Sequence, residues 1–420
     1  MTDPVRDQYE VYPYPARDPR DEAKRLIETT QSHLDEIDHY VYAGRRDFSR
    51  LFRVLVAGGG TGDVTVMLAQ RLADRGCPAE VVHLDLSAAS TRIAEARVAA
   101  RGLGNARFVV GSLTELAALG LGRFDYIDCV GVLHHLDDPP VALRALADAL
   151  VGDGGMALMV YGALGRTGVY QMQAMLRRLT PPADPPATHV EVARRLLKQL
   201  PPTNWFARNP VVVDHIRGGD AGLYDLLLHG RDRPYTVPEL VELVTGAGLE
   251  ICSFIEPWRY DPARYVSDGA ILKRLAGLGR FERAAFAELL AGNLKRHVCY
   301  VVKAGRAGQA VARPDDPAAV PILHRCAAAD LVDRIKPGPV LALRVDGIDA
   351  RFALPPRAVP ILTRVDGHRN LTDLHQAVSV AESGRLDWPA FKTEFDRLYA
   401  VLNGTNQMLL TYPPTPRPVS

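Results

Sequence analysis

The sequence predicts an α/β fold: a doubly wound sheet with helical insertions, followed by a small winged-helix-like C-terminal domain. Two observations predict the sheet. Apolar runs of strand length alternate with helical patterns from residue 51 to about residue 160. The first run ends in glycines, LFRVLVAGGGTGD over 51–63, and a helical pattern follows directly. A buried strand, a glycine turn and a helix N-terminus form the polar-ligand site of a Rossmann-like sheet.

Length and composition limit the class of protein. The chain has 420 residues, 47% of them apolar, and a net charge of +1. We expect two or three domains and no overall attraction to nucleic acid or to an anionic membrane. The cysteines lie far apart without a CxxC pair, so neither a metal knuckle nor a disulfide framework is indicated. Without a signal peptide or an apolar run of about 20 residues, a cytoplasmic location is expected.

The first 50 residues are predicted to form an N-terminal arm and a helix. Residues 1–19 carry four prolines and three tyrosines, and the YPYP segment should be extended. The arm is either a disordered leader or a segment whose tyrosines lie over a ligand pocket. Residues 20–40 have the pattern of a polar amphipathic helix.

The core is predicted over residues 51–305. Apolar runs predict strands near 52–57, 80–86, 106–111, 124–131, 155–161, 249–256 and 297–304. Helical patterns lie near 63–75, 88–101, 114–119, 139–150 and 237–247. The alternation breaks at 165–235 and 258–296, which are predicted as helical insertions. The long excursion before the last strand favours an antiparallel pair at one edge of the sheet.

The C-terminal part, 318–420, has a different pattern of predicted elements from the core and follows a predicted linker at 306–317. A hairpin is predicted over 339–354, around Asp346–Gly347. Helices are predicted at 318–335, 356–366, 371–380 and 388–402, with a strand at 407–412. The order fits a winged-helix type. Because 315–420 holds 12 Lys/Arg against 12 Asp/Glu, a protein contact or a structural role is favoured over DNA binding.

The sequence of the glycine turn distinguishes between three classes of ligand-binding motif. A phosphate loop requires GxxxxGK[ST], and no lysine follows Gly62. A dinucleotide fingerprint requires GxGxxG, but the sixth position is Asp63. The pattern Gly58-x-Gly60-x-Gly62 instead resembles the turn of S-adenosylmethionine (SAM) dependent methyltransferases. The expected cofactor contacts at this turn are Ala57, Gly58, Gly59, Gly60 and Gly62.

Further cofactor contacts are expected where the next three strands end. Asp85 ends the second strand, where a carboxylate can accept hydrogen bonds from both ribose hydroxyls. The alternative, Asp85 as a helix N-cap, competes with Ser87, which can cap the same helix. An adenine site is expected after the third strand, where the Ser112 hydroxyl or the Leu113 amide must serve. The remaining expected cofactor contacts are Leu86 and Val130.

The segment FDYIDCVGVLHHLDDPPVALRALADALVGDGGMALMVYG, which begins at Phe124, resembles class I SAM-dependent methyltransferases. The YPYP leader resembles the N-terminal motif of a bacterial subgroup. LPPTNWFARN, DAGLYDLLLHGRDRPYTVPEL and YGALGRTGVY resemble, less closely, the protein-lysine methyltransferases of rickettsiae. The class resemblance covers about 50–305. It implies SAM as the cofactor and methyl transfer as the reaction.

Five side chains are candidates for the chemistry: His134, His135, Tyr161, His229 and Asp232. The two adjacent histidines follow strand four, where the methyl group should lie, and Tyr161 ends strand five. Each is either a base or acceptor-orienting group or an ordinary packing residue. A metal is not predicted because no third ligand has a suitable spacing. The other two candidates lie in DLLLHGRDRPYT, which is either a lid or a solvated helix end.

Two hypotheses follow for function. The first is a SAM-dependent methyltransferase acting on a protein side chain, with lysine as one acceptor, or on a small metabolite. The second is a non-catalytic SAM-fold protein that regulates or binds a partner. Neither nucleic acid nor a membrane is a predicted partner. A homodimer formed through the helical insertions is a further prediction.

Overall fold

The central sheet has seven strands in the computed structural model, which describes residues 4–336 and 338–412. In chain order they are β1 (Phe52–Ala57), β2 (Ala79–Asp85), β3 (Ala106–Val110), β4 (Phe124–Val130), β5 (Leu150–Tyr161), β6 (Leu249–Phe254) and β7 (Arg296–Lys303). All seven predicted strands are confirmed. β5 begins earlier than predicted because Leu150 pairs with Phe124 and Gly155 pairs with Tyr126 of β4, across a register shift.

The order of strands places a ligand crevice beside β1. The sheet runs β3-β2-β1-β4-β5-β7-β6, and the pairs among β1 to β5 are parallel. The chain therefore winds outward from β1 in one direction and from β4 in the other. In such sheets ligands bind outside the carboxyl ends of the strands at this reversal. Five of the six β1 residues are buried, as expected for a strand covered on both faces.

Helices alternate with the first five strands as predicted. Those up to β5 are α1 (Pro4–Val11), α2 (Leu34–Val41), α3 (Asp63–Asp74), α4 (Ala88–Ala100) and α5 (Pro139–Ala149). Short 3-10 turns lie at Pro19–Ala23, Leu113–Glu115 and Leu133–His135. The predictions of α3, α4 and α5 are confirmed within two residues at each end.

The helix predicted over 20–40 is wrong. Only its last part is α-helical, as α2, and a separate helix, α1, forms ahead of the YPYP segment. A buried ion pair and a left-handed backbone conformation divert the chain between the two helices. The Glu22 carboxylate is drawn into an ion pair with Arg97, and Ser32, with φ of 65°, is left-handed where a helix would have to continue.

The stretch after β5 is helical, as the sequence predicts. It contains α6 (Val169–Leu176), α7 (Pro186–Leu197), α8 (Asp214–Arg217), α9 (Gly219–Leu223), a π-helical turn (Tyr224–Leu228) and α10 (Val237–Gly246). These helices have an apolar cluster of their own, which includes Val169, Met172, Leu223 and Leu226. This cluster fixes the π-helical turn that carries Asp225.

The remaining helices are α11 (Gly269–Leu275), α12 (Arg280–Ala291), α13 (Ala307–Ala310), α14 (Ala328–Arg334), α15 (Ala358–Leu362), α16 (Leu371–Ala381) and α17 (Trp388–Gly404). Two more 3-10 turns, Pro257–Tyr260 and Pro262–Arg264, follow β6. The last strands are β8 (Val320–Leu323), β9 (Ile335–Lys336), β10 (Val340–Val345), β11 (Ile348–Ala353) and β12 (Met408–Thr411).

The C-terminal part matches most of its prediction. β10 and β11 form the predicted hairpin, and β9 pairs antiparallel with β10. The helix predicted over 318–335 is wrong in its first half, because the apolar run of β8 pairs antiparallel with β12. A buried core that includes Phe391 and Phe395 supports these elements. The winged-helix architecture stays a prediction.

The chain forms two compact units. The first comprises the residues up to 33 with 48–249 and 291–299, and the second comprises 34–47, 250–290 and the residues from 300 onward. The glycine turn and the cavity described below belong to the first unit. Within the described part of the chain, no helix combines the length and apolarity that crossing a membrane requires.

Candidate active site

The turn after β1 depends on backbone conformations that favour glycine. The φ angles are +73° at Gly58, +54° at Gly60 and +93° at Gly62. The Gly58 amide donates to the Leu84 carbonyl oxygen over 2.7 Å. The Gly60 amide donates to Oδ2 of Asp85, also over 2.7 Å. The turn is therefore tied to the end of β2 by both backbone and side chain.

The turn leaves little room for side chains. A Cβ atom on Gly58 would lie 2.4 Å from Cγ2 of Val132, and one on Gly60 would lie 3.0 Å from the Tyr14 carbonyl oxygen. Bare backbone thus lines the crevice between β1 and the N-terminal arm. These residues fit a nucleoside-type cofactor such as SAM, whose binding requires close approach to the main chain.

Asp85 is held in place by two backbone amides. Besides Gly60, the Ser87 amide donates to its Oδ1 atom over 2.8 Å. Ser87 itself is the N-cap of α4, because its hydroxyl accepts from the Ser90 amide over 3.1 Å. As expected, Ser87 performs the capping, and the Asp85 carboxylate faces the cavity at the end of β2.

A cavity of about 410 Å³ lies over the carboxyl ends of the strands. Most predicted cofactor contacts line one part of it: Gly58, Gly59, Gly60, Asp85, Leu86, Ser112, Leu113 and Val130. Ala57 and Gly62 do not line it. Ala57 is buried as the last residue of β1, and Gly62 is the N-cap position of α3.

The other part of the cavity combines two of the predicted catalytic residues with one tyrosine of the arm and two residues of the segment predicted as a lid or a solvated helix end. His135 and Tyr161 line it as expected, together with Tyr9, Asp225 and Arg231. One of the two alternatives for the arm places its tyrosines over the pocket, and the positions of Tyr9 and Tyr14 agree with that alternative. Asp225 opens the segment DLLLHGRDRPYT but was not among the candidates chosen from it; the structure places it in a π-helical turn, a feature that occurs often at functional sites.

Asp225 is a buried carboxylate between two tyrosine hydroxyls. Tyr9 donates to Oδ1 over 3.0 Å and Tyr161 donates to Oδ2 over 3.3 Å. These hydroxyls are its hydrogen-bond partners within the described chain. Burial raises the pKa of the Asp225 carboxyl above its ordinary value. Asp225 is therefore suited to hold a cation or a proton in the cavity.

The hydrogen bonds of Arg231 assign the tautomers of two histidines. Its carbonyl oxygen accepts from Nδ1 of His135 over 2.8 Å, so neutral His135 keeps its lone pair on Nε2. Its amide donates to Nδ1 of His229 over 3.0 Å, so neutral His229 carries its proton on Nε2, which lies 3.3 Å from the Tyr9 hydroxyl. Burial lowers the pKa of His229 well below its ordinary value, which keeps this ring neutral.

His135, Asp225 and His229 lie close enough to be considered as a metal site, with potential ligand atoms within 4.8 Å of one another. The sequence offered no third ligand at a suitable spacing, but the fold brings one from the helical insertion. The Arg231 amide, however, occupies the Nδ1 lone pair of His229. A metal-bound histidine normally donates from its second nitrogen, so this geometry favours a proton-handling role.

Three of the predicted catalytic side chains lie outside the cavity lining, and their catalytic role stays a prediction. His134 is fully buried and stacks on Tyr161 with ring centroids 3.9 Å apart. Asp232 is buried in an ion pair with Arg166, 3.0 Å between Oδ2 and the guanidinium. Arg166 in turn lies over the Tyr161 ring. His134 therefore packs directly on Tyr161, and Asp232 contacts it through Arg166. His229 lies beside Tyr9.

The N-terminal arm is fastened to the sheet by hydrogen bonds. The Thr61 hydroxyl donates to the Pro15 carbonyl oxygen over 2.7 Å. Oε1 of Glu10, at the end of α1, accepts from the Ser87 hydroxyl over 3.0 Å and from the Ala89 amide over 3.2 Å. An acidic side chain is favourable at a helix N-terminus. The arm thus depends on the same turn and helix that shape the cavity.

Asp63, which excludes a dinucleotide fingerprint, has a structural role. Arg17 from the arm binds it through two hydrogen bonds, of 2.7 and 2.5 Å. Arg97, which is fully buried in α4, donates to Oδ1 of Asp63 over 2.7 Å and pairs with Glu22 over 2.7 Å. The carboxylate at this position links the arm, α3 and α4.

The parallel sheet, the glycine turn and the carboxylate that ends β2 match the fold of class I SAM-dependent methyltransferases. A family model described as "Methyltransferase domain" matches residues 54–154. The ubiquinone biosynthesis O-methyltransferase of Alkalilimnicola ehrlichii is 30% identical over 197 residues, which are 42% of this chain and 70% of that protein. The chain belongs to this methyltransferase family.

One further relative and one solved structure match more of the chain. An uncharacterized protein of Synechococcus sp. is 32% identical over 244 residues, 57% of this chain and 57% of that protein. The chain thus spans little more than half the length of that relative. The structure of PKMT2 from Rickettsia typhi in complex with AdoHcy matches 96% of this chain and 76% of its own, with a TM-score of 0.59 and 14% identity. At this identity the likeness concerns the fold.

Proposed function

We propose that this protein uses SAM to methylate an amine, and that a lysine side chain of a protein is the first acceptor to test. One observation carries the proposal: the Asp225 carboxylate lines the cavity between the Tyr9 and Tyr161 hydroxyls. A buried carboxylate is costly without an opposite charge. A protonated amine supplies that charge, and aromatic rings beside it add cation–π attraction.

The residues can also remove the proton that an ammonium group carries. An ammonium nitrogen has no lone pair and must lose a proton before it can attack. His135 lines the cavity and keeps its Nε2 lone pair because its Nδ1 proton is given to the Arg231 carbonyl. When bound, SAM supplies an electrophilic methyl group on a sulfonium sulfur. Asp225 then orients the amine while His135 accepts the proton.

A phenolic hydroxyl is the second candidate acceptor. It is favoured by the A. ehrlichii relative, named as an O-methyltransferase, and it would also need His135 as a base. The charge of Asp225 distinguishes the two acceptors. A carboxylate beside a developing phenolate is repulsive, whereas beside an ammonium group it is attractive. We therefore place the amine first.

Labelling with tritiated SAM tests the proposal. A cell lysate is incubated with the wild type and with Asp225→Asn, and label is counted separately in protein and in small molecules. We expect wild-type label in protein, recovered as methylated lysine after hydrolysis, and little label with the variant. Label that appears only on oxygen in small molecules would refute the amine acceptor and support the phenol.

A cytoplasmic location is also proposed. The supporting observation is that the five cysteines lie far apart in the sequence without a CxxC pair, so no disulfide framework is indicated. Disulfide frameworks are rare in reducing compartments such as the cytoplasm. Fractionation of cells that produce the protein at native levels tests this proposal, and recovery in an extracytoplasmic fraction would contradict it.

A further inference from the structure

A second buried carboxylate, Asp128, borders the cavity at a place the proposed proton transfer does not use. Asp128 lies on β4, paired in register with Val56 of β1. Val56 comes two residues before Gly58, so Asp128 lies beside the start of the glycine turn. Its side chain is almost completely buried, with 2% of the residue exposed. It nevertheless lines the cavity.

The partners of Asp128 are neutral. The Ser32 hydroxyl donates to Oδ2 of Asp128 and lies 2.7 Å from the Tyr126 hydroxyl. The segment before Ser32 contributes two neutral polar residues to the cavity, Thr29 and Gln31. Within the described chain no Lys, Arg or His forms an ion pair with Asp128.

A buried carboxylate without a cation is costly, and an opposite charge supplied by a ligand offsets that cost. The methionine end of SAM carries two cationic centres, the α-ammonium group and the sulfonium. The ammonium group has three N–H donors, whereas the sulfonium has none. Asp128, Thr29 and Gln31 are hydrogen-bonding residues, which matches the ammonium group.

We propose that Asp128, oriented by Ser32, binds the α-ammonium group of the cofactor's methionine moiety. This inference rests on SAM as the cofactor and is independent of the acceptor. Asp128 is then the anchor for the amino-acid end, while Asp85 serves the ribose. Asp128 thereby positions the methionine end of the cofactor next to β4.

Calorimetry with three ligands tests the assignment. S-adenosylhomocysteine keeps the ammonium group but has a neutral sulfur, SAM has both cations, and 5′-methylthioadenosine lacks the amino-acid end. For Asp128→Asn we expect the affinity for SAM and S-adenosylhomocysteine to fall alike, by roughly 10- to 100-fold, the scale for hydrogen bonds to charged groups. The affinity for 5′-methylthioadenosine should stay unchanged.

Each other outcome overturns the assignment. A loss for SAM alone would mean that Asp128 faces the sulfonium, and an equal loss for all three ligands would mean that it only supports the fold. Unchanged binding of all three would remove Asp128 from the site. Failure of the wild type to bind any of them would refute SAM binding itself, a distinguishable result.

Two more variants complete the test. Ser32→Ala removes the hydroxyl that orients Asp128, so it should cause a smaller loss with the same ligand pattern. It also keeps the assignment testable if Asp128→Asn does not fold. Asp153→Asn changes an exposed carboxylate on β5 and should bind all three ligands like the wild type.

Discussion

The Tyr9 hydroxyl lies 3.0 Å from Oδ1 of Asp225, although 216 positions of sequence separate the two residues. Tyr9 belongs to the N-terminal helix and Asp225 to the π-helical turn after β5. The polar end of the cavity is therefore complete only when the arm is in place. The arm is part of the site rather than a leader beside it.

Tyr9→Phe should lower turnover and leave cofactor affinity unchanged. The variant keeps the ring but removes one of the two hydroxyls on Asp225. We expect turnover to fall about 10- to 100-fold, the loss of one hydrogen bond to a charged group. Initial rates at saturating SAM and calorimetry with S-adenosylhomocysteine measure the two effects. Tyr12→Phe is the matched control, since Tyr12 packs on Tyr224 outside the cavity lining; a similar loss there would contradict the role of Tyr9.

Gly60→Ala should weaken SAM binding more than Gly76→Ala. Both glycines have positive φ, so both variants carry left-handed strain of about 1–2 kcal/mol. A Cβ on Gly76 meets nothing within 4 Å, whereas one on Gly60 lies 3.0 Å from the Tyr14 carbonyl oxygen. Equilibrium denaturation should show comparable losses of stability, and calorimetry should show a loss of affinity for Gly60→Ala alone. Equal affinities would mean that the turn tolerates a side chain.

Arg97→Leu should destabilise the fold strongly. Arg97 is fully buried, and its loss leaves the buried Glu22 carboxylate with Arg101 as its remaining ion-pair partner. Removing one member of a buried pair typically costs about 3–5 kcal/mol. Urea denaturation measures the change. Adding Glu22→Gln should recover part of the loss, and Arg92→Leu, at an exposed position of the same helix, should change stability little.

The stability of the cofactor-free protein should depend on Asp128 between pH 4 and 7. Burial raises the pKa of Asp128 from 3.8 to about 7. The folded protein therefore binds a proton that the unfolded chain releases, and this stabilising effect is full below pH 4 and lost as pH rises through 7. A shift of this size corresponds to about 4 kcal/mol.

Asp128→Asn removes that titration, so the free energy of unfolding of the wild type should fall relative to the variant across this range. Denaturation curves at pH 4.5 and at pH 8, values chosen as roughly the two ends of the titration, give the comparison. If the free energy of unfolding differed between wild type and variant by the same amount at both pH values, Asp128 would titrate normally.

The sequence predicts the sheet well because its signals are local. Apolar runs such as FRVLVA form strands where both faces of a sheet are covered. The turn after β1 requires positive φ angles, which residues other than glycine rarely adopt. The same locality explains the errors. The pattern of 20–40 is helical in isolation, but the buried partner of Glu22 is Arg97, 75 positions away. The run at β8 becomes a strand only because β12 lies beside it.

The residues of the site also differ in whether their sequence signals are local. The expected cofactor contacts follow strands at fixed positions, and most of the residues expected from the sequence line the cavity. Asp225 and Asp128 were not named, because the role of each depends on a distant contact, with two tyrosine hydroxyls and with Ser32. Tyr9 was placed over the pocket only as one of two alternatives. His134 and Asp232 were proposed for their residue type; His134 stacks on Tyr161 and Asp232 pairs with Arg166, both outside the cavity lining, and their catalytic role stays a prediction.

The ion cluster around Asp63 has an evolutionary consequence. Arg17, Asp63, Arg97 and Glu22 form one connected set of opposite charges. A single replacement leaves a partly buried charge unmatched, so drift at any of these positions should be selected against unless the others change with it. The four positions should therefore covary among relatives, and an aligned set that substitutes one should substitute its partners. A small residue at position 63, as in dinucleotide-binding proteins, would then require a differently charged arm.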